Sequence, residues 1–400
     1  MPTASDSRDH APTVAVIGGG QLARMLAEPA AALGIPLRLL AEAPGVSAAQ
    51  VIPDHEVGDY RDLTTLRLVT DGCAVVTFDH EHVPTEHLHA LEADGIAVRP
   101  GPEALVHAQD KGVMREALAR IGVPCPRNVV VETPEEVSAF GYPCVLKTTR
   151  GGYDGKGVWF VGSEEETAVP FAQAQESGVQ ILAEERVDFR RELSALVARS
   201  PSGQVAAWPV VASEQRDGIC REVIAPAPDL DPHLALEAQR IAMTLAGALG
   251  VVGVLAVELF ETTDGRVLVN ELAMRPHNTG HWTQDGSVTS QFENHLRAVL
   301  DLPLGAPEAR APWTVMVNVL GPTGAAGDAA DAGTVGRLYD GYPHALARDP
   351  RIRVHLYGKE LRPGRKVGHV NAYGDDLEDC LARARHAAAW FAGELGDESE

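Results

Sequence analysis

Cysteine is scarce in this sequence. Among 400 residues there are five cysteines, an odd number, and no two of them form a C-x-x-C pair. A disulfide framework needs paired cysteines and a structural zinc site needs closely spaced ligands, so we expect neither. The five are Cys73, Cys125, Cys144, Cys220 and Cys380.

Positive charge is also in deficit. The chain has 34 Lys and Arg against 56 Asp and Glu, a formal net charge of −22. Because binding to nucleic acid or to an anionic membrane surface depends on basic residues, we expect neither partner. Small anions can still be held by local basic groups.

Long apolar segments are missing as well. The uncharged run at 241–257 has 17 residues and contains three glycines, which is short for a membrane span. The first ten residues include Asp6, Arg8 and Asp9 and lack an apolar core, so we do not expect them to form a signal peptide. These features predict a cytoplasmic protein.

The residues that are present predict an α/β protein. The length and an apolar content of 45% suit two to four globular domains. Near the N-terminus an apolar strand at 14–17, a glycine turn, a helix at 23–33 and a strand at 37–41 alternate, which predicts a parallel, doubly wound sheet. The sequence Arg-Pro-Gly-Pro at 99–102 ends this unit.

The rest of the chain is predicted to be richer in strands. A helix at 111–121 precedes the first of them, and a longer helix is predicted at 234–249. A hairpin is expected at 254–271, with its turn at Thr263-Asp264-Gly265. From about 307 the chain is rich in Gly, Ala and Pro. Strands are predicted at 128–131, 143–147, 158–161, 181–184, 192–198, 220–225, 315–319 and 354–357.

The first candidate site is the turn Gly18-Gly19-Gly20-Gln21-Leu22-Ala23. It satisfies G-x-G-x-x-A between a strand and a helix, a pattern that places backbone N–H groups around an anion. Glu42 ends the next strand, where dinucleotide-binding folds carry a ribose-binding acid. Three interpretations stay open: NAD(P) binding, binding of another ligand's phosphate, and a purely structural turn.

The second candidate is the glycine-rich loop at 151–157, which lies between two predicted strands. Four glycines in seven residues let the backbone curl over phosphates, and Lys156 adds positive charge. The preceding strand ends at Lys147. No G-K-[ST] opens a helix here, so this is not a Walker loop. A flexible hairpin loop is the alternative, and we favour nucleotide-phosphate binding.

The third candidate is a pair of carboxylates, Glu258 and Glu271, on the predicted hairpin. A turn at 263–265 would bring the two side chains together on adjacent strands. Two carboxylates this close are costly unless a cation lies between them, and their oxygens suit Mg²⁺. The alternative is a pair of solvated side chains at strand ends, but Glu271 leads into the unusual polar string 275–282.

Two further clusters of polar residues are candidate sites, one basic and one rich in histidine. The segment 359–366, KELRPGRK, has four basic residues in eight, and Pro363-Gly364 would turn Arg365 and Lys366 toward one phosphate. A solvated basic turn is the alternative. A zinc site at 79–82, with His87 and His89, is rejected because alternating residues of a strand face opposite sides.

Together these segments resemble one family. GGGQL, the lysine-bearing strand, GGYDGKG, Glu184 and Glu192, NELAMRPHNTGHWT at 270–283 and KELRPGRKVGH at 359–369 follow the order seen in ATP-grasp enzymes. The last two strings resemble those of the 5-(carboxyamino)imidazole ribonucleotide synthetases of purine biosynthesis. The resemblance covers 14–373 and implies a ligase that converts ATP, bicarbonate and 5-aminoimidazole ribonucleotide (the ribotide) to the carboxylated nucleotide, ADP and phosphate.

The resemblance also implies the architecture and the partners. A Rossmann-like domain at 1–108 would bind the ribotide phosphate. An ATP-grasp domain of α+β type at 109–305 would bind ATP, Mg²⁺ (or Mn²⁺ in its place) and bicarbonate. A small, mostly-β domain at 306–400 would complete the ribotide site and end in an acidic tail. Small-molecule substrates and a homodimer are expected.

Individual roles follow from the same resemblance. Glu258 and Glu271 would bind the metal, and the loop at 152–157 would close over ATP. The implied catalytic residues are Arg275, Lys156, Tyr153, Asp154 and His277. The implied ATP-binding residues are His107, Lys111, Lys147, Gly152, Tyr153, Asp154, Gly155, Lys156, Gly157, Glu184, Glu185, Arg186, Val187, Glu192, Gln215, Asn270 and Glu271. The implied ribotide-binding residues are Gln21, Leu22, Glu81, Asn278, Lys359, Arg365 and Lys366.

Some residues depart from the family pattern, and rival functions remain. His107 stands where an arginine is common, Gln215 where a histidine is frequent, and Met274 where a proline is usual. A sister ATP-grasp ligase that uses formate and glycinamide ribotide would share every ATP motif. A non-catalytic binding protein and an NAD-dependent oxidoreductase are two more distant rivals.

Overall fold

Three β-sheets organise the structure, a computed structural model that describes residues 11–152, 155–216, 218–321 and 338–395. Within these residues the sheets have five, four and nine strands. The five-stranded sheet is parallel, and the other two are antiparallel. Across the described ranges, we find no helix with the length and apolarity to cross a membrane.

The parallel sheet forms the N-terminal unit, in the order β3-β2-β1-β4-β5. All four residues of its central strand β1 are buried, because helices cover both faces. The predicted doubly wound sheet is confirmed. Its strands are β1 Val14–Ile17, β2 Leu37–Ala41, β3 His55–Val57, β4 Val75–Phe78 and β5 Ala97–Val98, and its helices are α1 Gln21–Leu33, α2 Leu63–Thr70 and α3 Thr85–Ala93.

The four-stranded sheet carries the glycine-rich loop between two of its strands. Helices α4 Pro102–Gln109 and α5 Lys111–Ile121 lead into it. Asp110 lies between the two helices, and its carboxylate accepts from Val113 N at 3.1 Å to cap α5. The sheet order is β6-β9-β7-β8, with β6 Asn128–Val131, β7 Cys144–Thr148, β8 Val158–Val161 and β9 Ile181–Glu185; α6 Pro134–Phe140 and α7 Ala168–Ser177 accompany it.

The nine-stranded sheet spans the centre and the C-terminal part of the chain. Its order is β15-β14-β10-β12-β13-β16-β18-β17, with β11 beside β10. The C-terminal strands therefore extend the central sheet through the β13–β16 pair. The strands are β10 Phe189–Arg199, β11 Val205–Ala207, β12 Val211–Arg216, β13 Ile219–Ala225, β14 Gly253–Thr262, β15 Val267–Ala273, β16 Trp313–Leu320, β17 Arg353–Leu356 and β18 Lys366–Gly374.

Five α-helices accompany this sheet in the described residues, and only the first of them in chain order was predicted from the sequence. Helix α8 Pro232–Ala248 packs on β10 and β14. Helix α12 Leu377–Ala392 packs on β16 and β18, and Asp376 caps its N-terminus. The remaining helices are α9 Thr283–Gly286, α10 Gln291–Val299 and α11 Tyr342–Arg348.

Helix α10 joins the N-terminal unit to the central sheet. Its Phe292, Leu296 and Val299 are fully buried in one cluster with residues of β1, β2 and α1. His295 on the same helix accepts from Val254 N through Nδ1, at 3.1 Å, and lies 2.7 Å from Thr77 Oγ1 through Nε2. Burial lowers the pKa of His295 to about 3, so the ring is neutral and Nε2 donates to Thr77. This contact fixes the end of β4 against the central sheet.

Candidate functional site

A cavity of about 1880 Å³ lies where the parallel sheet, the four-stranded sheet and the central sheet meet. Of the sequence-predicted site residues that the structure describes, all but His107 and Gly157 line it. Tyr153 and Asp154 lie outside the described residues. We call the part lined by Lys111, Lys147 and the carboxylate pair the nucleotide end, and the part lined by Gln21, Leu22 and the basic segment 359–366 the basic end.

The two predicted carboxylates stand directly across from each other. Glu258 on β14 pairs in register with Glu271 on β15, next to a bulge, as the hairpin pattern predicted. Burial, and then the charge of Glu271, raises the pKa of Glu258 to about 8. Two carboxylates paired in register on neighbouring strands and lining the cavity fit a hard divalent cation such as Mg²⁺, whose preferred ligands are carboxylate oxygens.

Two lysines approach this pair from the nucleotide end. Lys111 Nζ lies 2.5 Å from Glu271 Oε1. Burial alone would raise the pKa of Glu271, but the neighbouring ammonium of Lys111 holds it below its usual value. Lys147 Nζ donates to Asn270 Oδ1 at 3.0 Å. Positive charge is thus concentrated beside the predicted metal position, where phosphate oxygens would be neutralised.

The predicted hinge lies at the end of β9 and along β10. Glu185, Arg186 and Val187 line the cavity beside Glu192 and Gln215. Burial raises the pKa of Glu192 to about 7, against the attraction of Lys147 and a hydrogen bond from Gln215. The side chain of Glu184 points into a buried ion pair, so only its main chain is available for the adenine contact that the resemblance implies.

The glycine-rich loop approaches the same end. Gly152, Gly155 and Lys156 line the cavity. A Cβ at Gly152 would come within 2.9 Å of Lys156 O, so the loop backbone folds tightly on itself. Gly157 is turned away: its carbonyl accepts from Thr148 N at 2.9 Å, which ties the loop to the end of β7.

A second group of charged side chains occupies the middle of the cavity. Arg275 Nε donates to Glu81 Oε2 at 2.8 Å. His277 Nε2 lies 3.3 Å from Glu258 Oε1, and burial lowers the pKa of His277 well below its usual value. Both side-chain polar atoms of Asn278 are buried and lack a partner among the described residues. Unpartnered buried polar atoms are costly, which is typical of a position completed by a ligand.

The basic segment reaches the glycine turn of the N-terminal unit. Lys359 Nζ donates to Gln21 Oε1. The preceding residues are anchored on the N-terminal unit, because Ser47 Oγ donates to Tyr357 O at 2.6 Å and Gln50 Nε2 donates to Gly358 O at 2.8 Å. Lys366 begins β18. Residues that are 338 positions apart in the chain therefore form one basic end of the cavity.

Two carboxylates already occupy three of the six N–H groups of the glycine turn. Glu42 accepts from Gly19 N at 2.9 Å. Asp79 accepts from Gly20 N at 3.1 Å and from Ala23 N at 2.8 Å. A dinucleotide pyrophosphate would need these donors. The arrangement therefore disfavours the NAD(P) interpretation, and Glu42 is a backbone cap rather than a ribose-binding acid.

His107, like Gly157, is a described ATP-site candidate that does not line the cavity. It sits on α4, where its Nδ1 contacts Ala104 O of the same helix at 3.1 Å. The departure from the family pattern at this position therefore coincides with a side chain that faces away from the nucleotide end.

Known proteins were compared with the chain. The Ribonucleotide synthetase preATP-grasp domain family matches residues 11–109, the ATP-grasp domain family matches 116–292, and the Phosphoribosylaminoimidazole carboxylase C-terminal domain family matches 314–383. The N5-carboxyaminoimidazole ribonucleotide synthase of Mycobacterium tuberculosis (strain ATCC 25618 / H37Rv) is 56% identical over 386 residues, which cover 96% of this chain and 88% of that protein. The chain belongs to the N5-carboxyaminoimidazole ribonucleotide synthase family.

Solved structures of this family share the fold. An ADP complex of an N5-carboxyaminoimidazole ribonucleotide synthetase is 34% identical, with a TM-score of 0.85, and covers 96% of this chain and 98% of its own. The Aspergillus clavatus enzyme in complex with ADP and 5-aminoimidazole ribonucleotide is 30% identical, with a TM-score of 0.84, and covers 96% and 100%. The predicted ATP-grasp fold, ligase class and purine-biosynthetic reaction are confirmed by this membership.

The sequence analysis missed several residues that shape the site. Gln291 holds the main chain of His277 from both sides, because its Oε1 accepts from His277 N and its Nε2 donates to His277 O, each at 2.8 Å. Asp79 caps the glycine turn, and Arg115 binds Glu184 beneath the cavity. Asp79 directly follows a strand, which was a usable signal. Gln291 and Arg115 carried none, since only the tertiary fold brings them to the site.

Proposed function

We propose that this chain uses ATP and bicarbonate to carboxylate the exocyclic amine of 5-aminoimidazole ribonucleotide inside the cavity described above. The observation that supports it most is the charge layout of that cavity. Lys111, Lys147 and the carboxylate pair line it, and so do Lys359, Arg365 and Lys366. Two phosphate-bearing substrates can therefore lie with their reacting groups between the two ends.

The proposed chemistry has two steps. A bicarbonate oxygen attacks the γ-phosphorus of ATP, the bond to the β-phosphate oxygen breaks, and ADP leaves with carboxyphosphate formed. The amine nitrogen then attacks the carboxyl carbon, the carbon–oxygen bond to phosphate breaks, and the amine loses its proton. Bicarbonate is a poor electrophile, and phosphorylation supplies the leaving group that it lacks.

We propose the following division of roles at the nucleotide end. The loop around Gly152, Gly155, Lys156 and Gly157 closes over the phosphates and excludes water, with Tyr153 and Asp154 in the same loop. The residues from Glu184 to Val187 contact adenine, and Glu192 contacts the ribose. The full proposed set is Lys111, Lys147, Gly152, Tyr153, Asp154, Gly155, Lys156, Gly157, Glu184, Glu185, Arg186, Val187, Glu192, Gln215, Asn270 and Glu271, with His107 at the margin.

Glu258 and Glu271 are proposed to hold Mg²⁺, for which Mn²⁺ can substitute. Two carboxylates on directly paired strand positions supply the oxygen ligands that a hard divalent cation prefers. Such a cation, when bound, would neutralise charge on the transferred phosphoryl group. Lys111, beside Glu271, would add a second positive charge at the same place.

The proposed ribotide site uses residues from all three parts of the chain. Gln21 and Leu22 come from the glycine turn, Glu81 and Asn278 face the ribose and the amine, and the basic segment meets the phosphate. Arg275 and His277 lie between the two ends, where carboxyphosphate would form. Nδ1 of His277 accepts from Thr279 N, so the neutral ring carries its proton on Nε2 and can donate a hydrogen bond from there, and Arg275 supplies a fixed positive charge.

An assay of ADP release tests this function against its nearest rival. ADP should form with ATP, bicarbonate and the ribotide, and omission of either bicarbonate or ribotide should reduce the rate at least tenfold. Formate with glycinamide ribotide is the matched control for a sister ligase. ADP formation that depends on formate and glycinamide ribotide, and not on bicarbonate, would contradict the proposal.

We also propose a cytoplasmic homodimer, and three functional segments at 1–108, 109–305 and 306–400. The segment boundaries are supported by the short connection between α4 and α5 and by the irregular stretch that precedes β16. Light scattering coupled to gel filtration tests the dimer, which should elute with twice the chain mass of 42.5 kDa. A monomer at micromolar concentration would contradict it.

A further inference from the structure

Arg115 is a buried arginine that joins two of the three sheets beneath the nucleotide end. It lies on α5 and its side chain is 2% exposed. Its Nε donates to Glu184 Oε1 on β9 at 2.5 Å. Its two terminal nitrogens donate to the carbonyl oxygens of Val269, at 2.9 Å, and Asn270, at 2.7 Å, on β15. The residue does not line the cavity, so it cannot touch a bound nucleotide directly.

The contacts of Arg115 close a ring of four side chains. Glu184 is shared, because its second oxygen lies 2.7 Å from Lys147 Nζ. Lys147 in turn donates to Asn270 Oδ1 at 3.0 Å. Burial alone would raise the pKa of Glu184, but the charges of Lys147 and Arg115 hold it below its usual value. The Glu184 carboxylate therefore pairs with two cations, the buried Arg115 and Lys147, which lines the cavity.

The two sheets that Arg115 joins each supply one residue that is predicted to act on the nucleotide phosphates. The four-stranded sheet supplies Lys147, and β15 supplies Glu271 directly after Asn270. Without the guanidinium, Glu184 would attract Lys147 alone and draw its ammonium away from the cavity. The carbonyl groups just before Glu271 would also lose their donors, and unpaired buried carbonyls favour movement of the strand.

We propose that Arg115 is a positioning residue that holds Lys147 and Glu271 at a fixed separation across the phosphate site, acting through Glu184 and the β15 main chain. This inference rests on the proposed function, since it places nucleotide phosphates at Lys147. A buried ion pair that serves stability alone is the competing explanation.

Binding of ADP without Mg²⁺ tests the proposal independently of turnover. Arg115→Lys keeps a positive charge but loses the fork that reaches both carbonyl groups. Calorimetry in the presence of EDTA should show ADP binding weakened about tenfold. In steady state the KM for ATP should rise by a similar factor, and the KM for the ribotide should change less than about threefold.

A double-mutant cycle with Lys147→Met separates positioning from simple stabilisation. If Arg115 acts through Lys147, the double variant should bind ADP about as weakly as Lys147→Met alone. Independent losses that multiply in the double variant would overturn the proposal. Lys147→Met leaves Glu184 paired with Arg115, or with the lysine that replaces it, so no buried charge is left alone.

Arg385→Lys is the matched structural control. Arg385 binds the buried carboxylate of Glu222 through two nitrogens, at 2.7 and 2.9 Å, away from the cavity. The control should lower Tm and leave the ADP affinity unchanged. If Arg115→Lys behaves like the control, with a lower Tm and normal ADP affinity, the residue is structural only and the proposal is wrong.

A second variant covers the case in which Arg115→Lys does not fold. Arg115→Met replaces the guanidinium with an uncharged side chain and leaves Glu184 paired with Lys147, so the buried carboxylate keeps one cation. This variant should fold and still bind ADP about tenfold more weakly, and normal ADP affinity would overturn the proposal. Wild-type protein that binds no ADP would instead refute the proposed function itself.

Discussion

At the scale of single residues, the carboxylate pair shows how burial sets chemistry. Glu258 and Glu271 face each other, yet their pKa values move in opposite directions. The pKa of Glu258 rises because of burial and the facing carboxylate. The pKa of Glu271 falls in spite of burial, because Lys111 is in contact with it. The pair therefore combines one carboxylate that is readily ionised with one that ionises fully only when a cation is added.

Replacement of Glu271 tests this pair. Glu271→Gln should reduce kcat by about 10²–10³, or about 3–4 kcal/mol, because a neutral amide binds a divalent cation poorly beside the transferred phosphoryl group. Circular dichroism should show an unchanged fold. Glu56→Gln, at an exposed position of β3, is the control and should keep wild-type kcat. Wild-type kcat in Glu271→Gln would mean that the residue is only a strand-end carboxylate.

Glu192 provides a pH-dependent test at the same scale. Burial raises its folded-state pKa to about 7, above the usual pKa of 4.5 for an exposed glutamate. Between these values the folded state binds more protons than the unfolded state, so stability falls as pH rises. Glu192→Gln removes this penalty.

The difference in Tm between Glu192→Gln and wild type, without ligands, should therefore increase from pH 5 to pH 8. Differential scanning fluorimetry at the two pH values measures it, with Glu56→Gln as the control that should show no such trend. A Tm difference that shrinks as pH rises would contradict the raised pKa.

At the scale of elements, the basic segment illustrates how the C-terminal part completes the site. Residues 357–359 are tied to the N-terminal unit by Ser47, Gln50 and Gln21, and Lys366 begins a strand of the central sheet. Gly364 and Arg365 of the segment between them line the cavity, together with Lys359 and Lys366 at its two ends. A phosphate at this end would be held by two units that are far apart in the sequence.

Alanine substitution of Arg365 or Lys366 should raise the KM for the ribotide about ten- to hundredfold. A charge-assisted hydrogen bond to phosphate is worth about 1.5–3 kcal/mol, which sets that range. The KM for ATP should change less than about threefold, since other residues hold the nucleotide. High salt should weaken ribotide binding in the wild type in the same direction.

Arg362→Ala is the control for this segment. Its side chain is 67% exposed, pairs with Glu360 and does not line the cavity. It should leave both KM values unchanged. A parallel rise of both KM values in the Arg365 or Lys366 variants would assign the cluster to the ATP site or to folding, and no change would assign it to a solvated turn.

The hairpin that carries the carboxylate pair was predicted from the sequence, and two C-terminal elements were not. Strand periodicity and a turn signal placed Glu258 opposite Glu271, because register in a hairpin follows from the turn. Helix α12 and strand β18 were missed, although Asp376 and Gly393 cap α12 at its two ends. The Gly- and Ala-rich composition nearby obscured that pattern.

Contacts between residues far apart in the sequence explain why other parts of the site were not predicted. The carboxylate of Asp79 binds the turn at Gly20 across 59 positions, and Arg115 binds Glu184 across 69. No local pattern encodes such pairs. The glycine turn was therefore predicted as an anion site, although two carboxylates already bind three of its N–H groups.

At the scale of the whole molecule, three units surround one cavity and each supplies charges to it. The central sheet carries the carboxylate pair, the four-stranded sheet carries Lys147 and the glycine-rich loop, and the parallel sheet carries the turn at 18–22. The central claim is that bicarbonate is activated between the two charged ends by phosphoryl transfer from ATP. The fate of the bicarbonate oxygens tests that claim directly.

The decisive measurement uses bicarbonate labelled with ¹⁸O, ATP and the ribotide, with mass analysis of the phosphate released in the first turnovers. Attack of a bicarbonate oxygen on the γ-phosphorus predicts one ¹⁸O atom in each phosphate, because the bridging oxygen leaves with phosphorus when the amine attacks carbon. Phosphate that contains no ¹⁸O above the level of a control with unlabelled bicarbonate, while carboxylated product forms, would contradict the account.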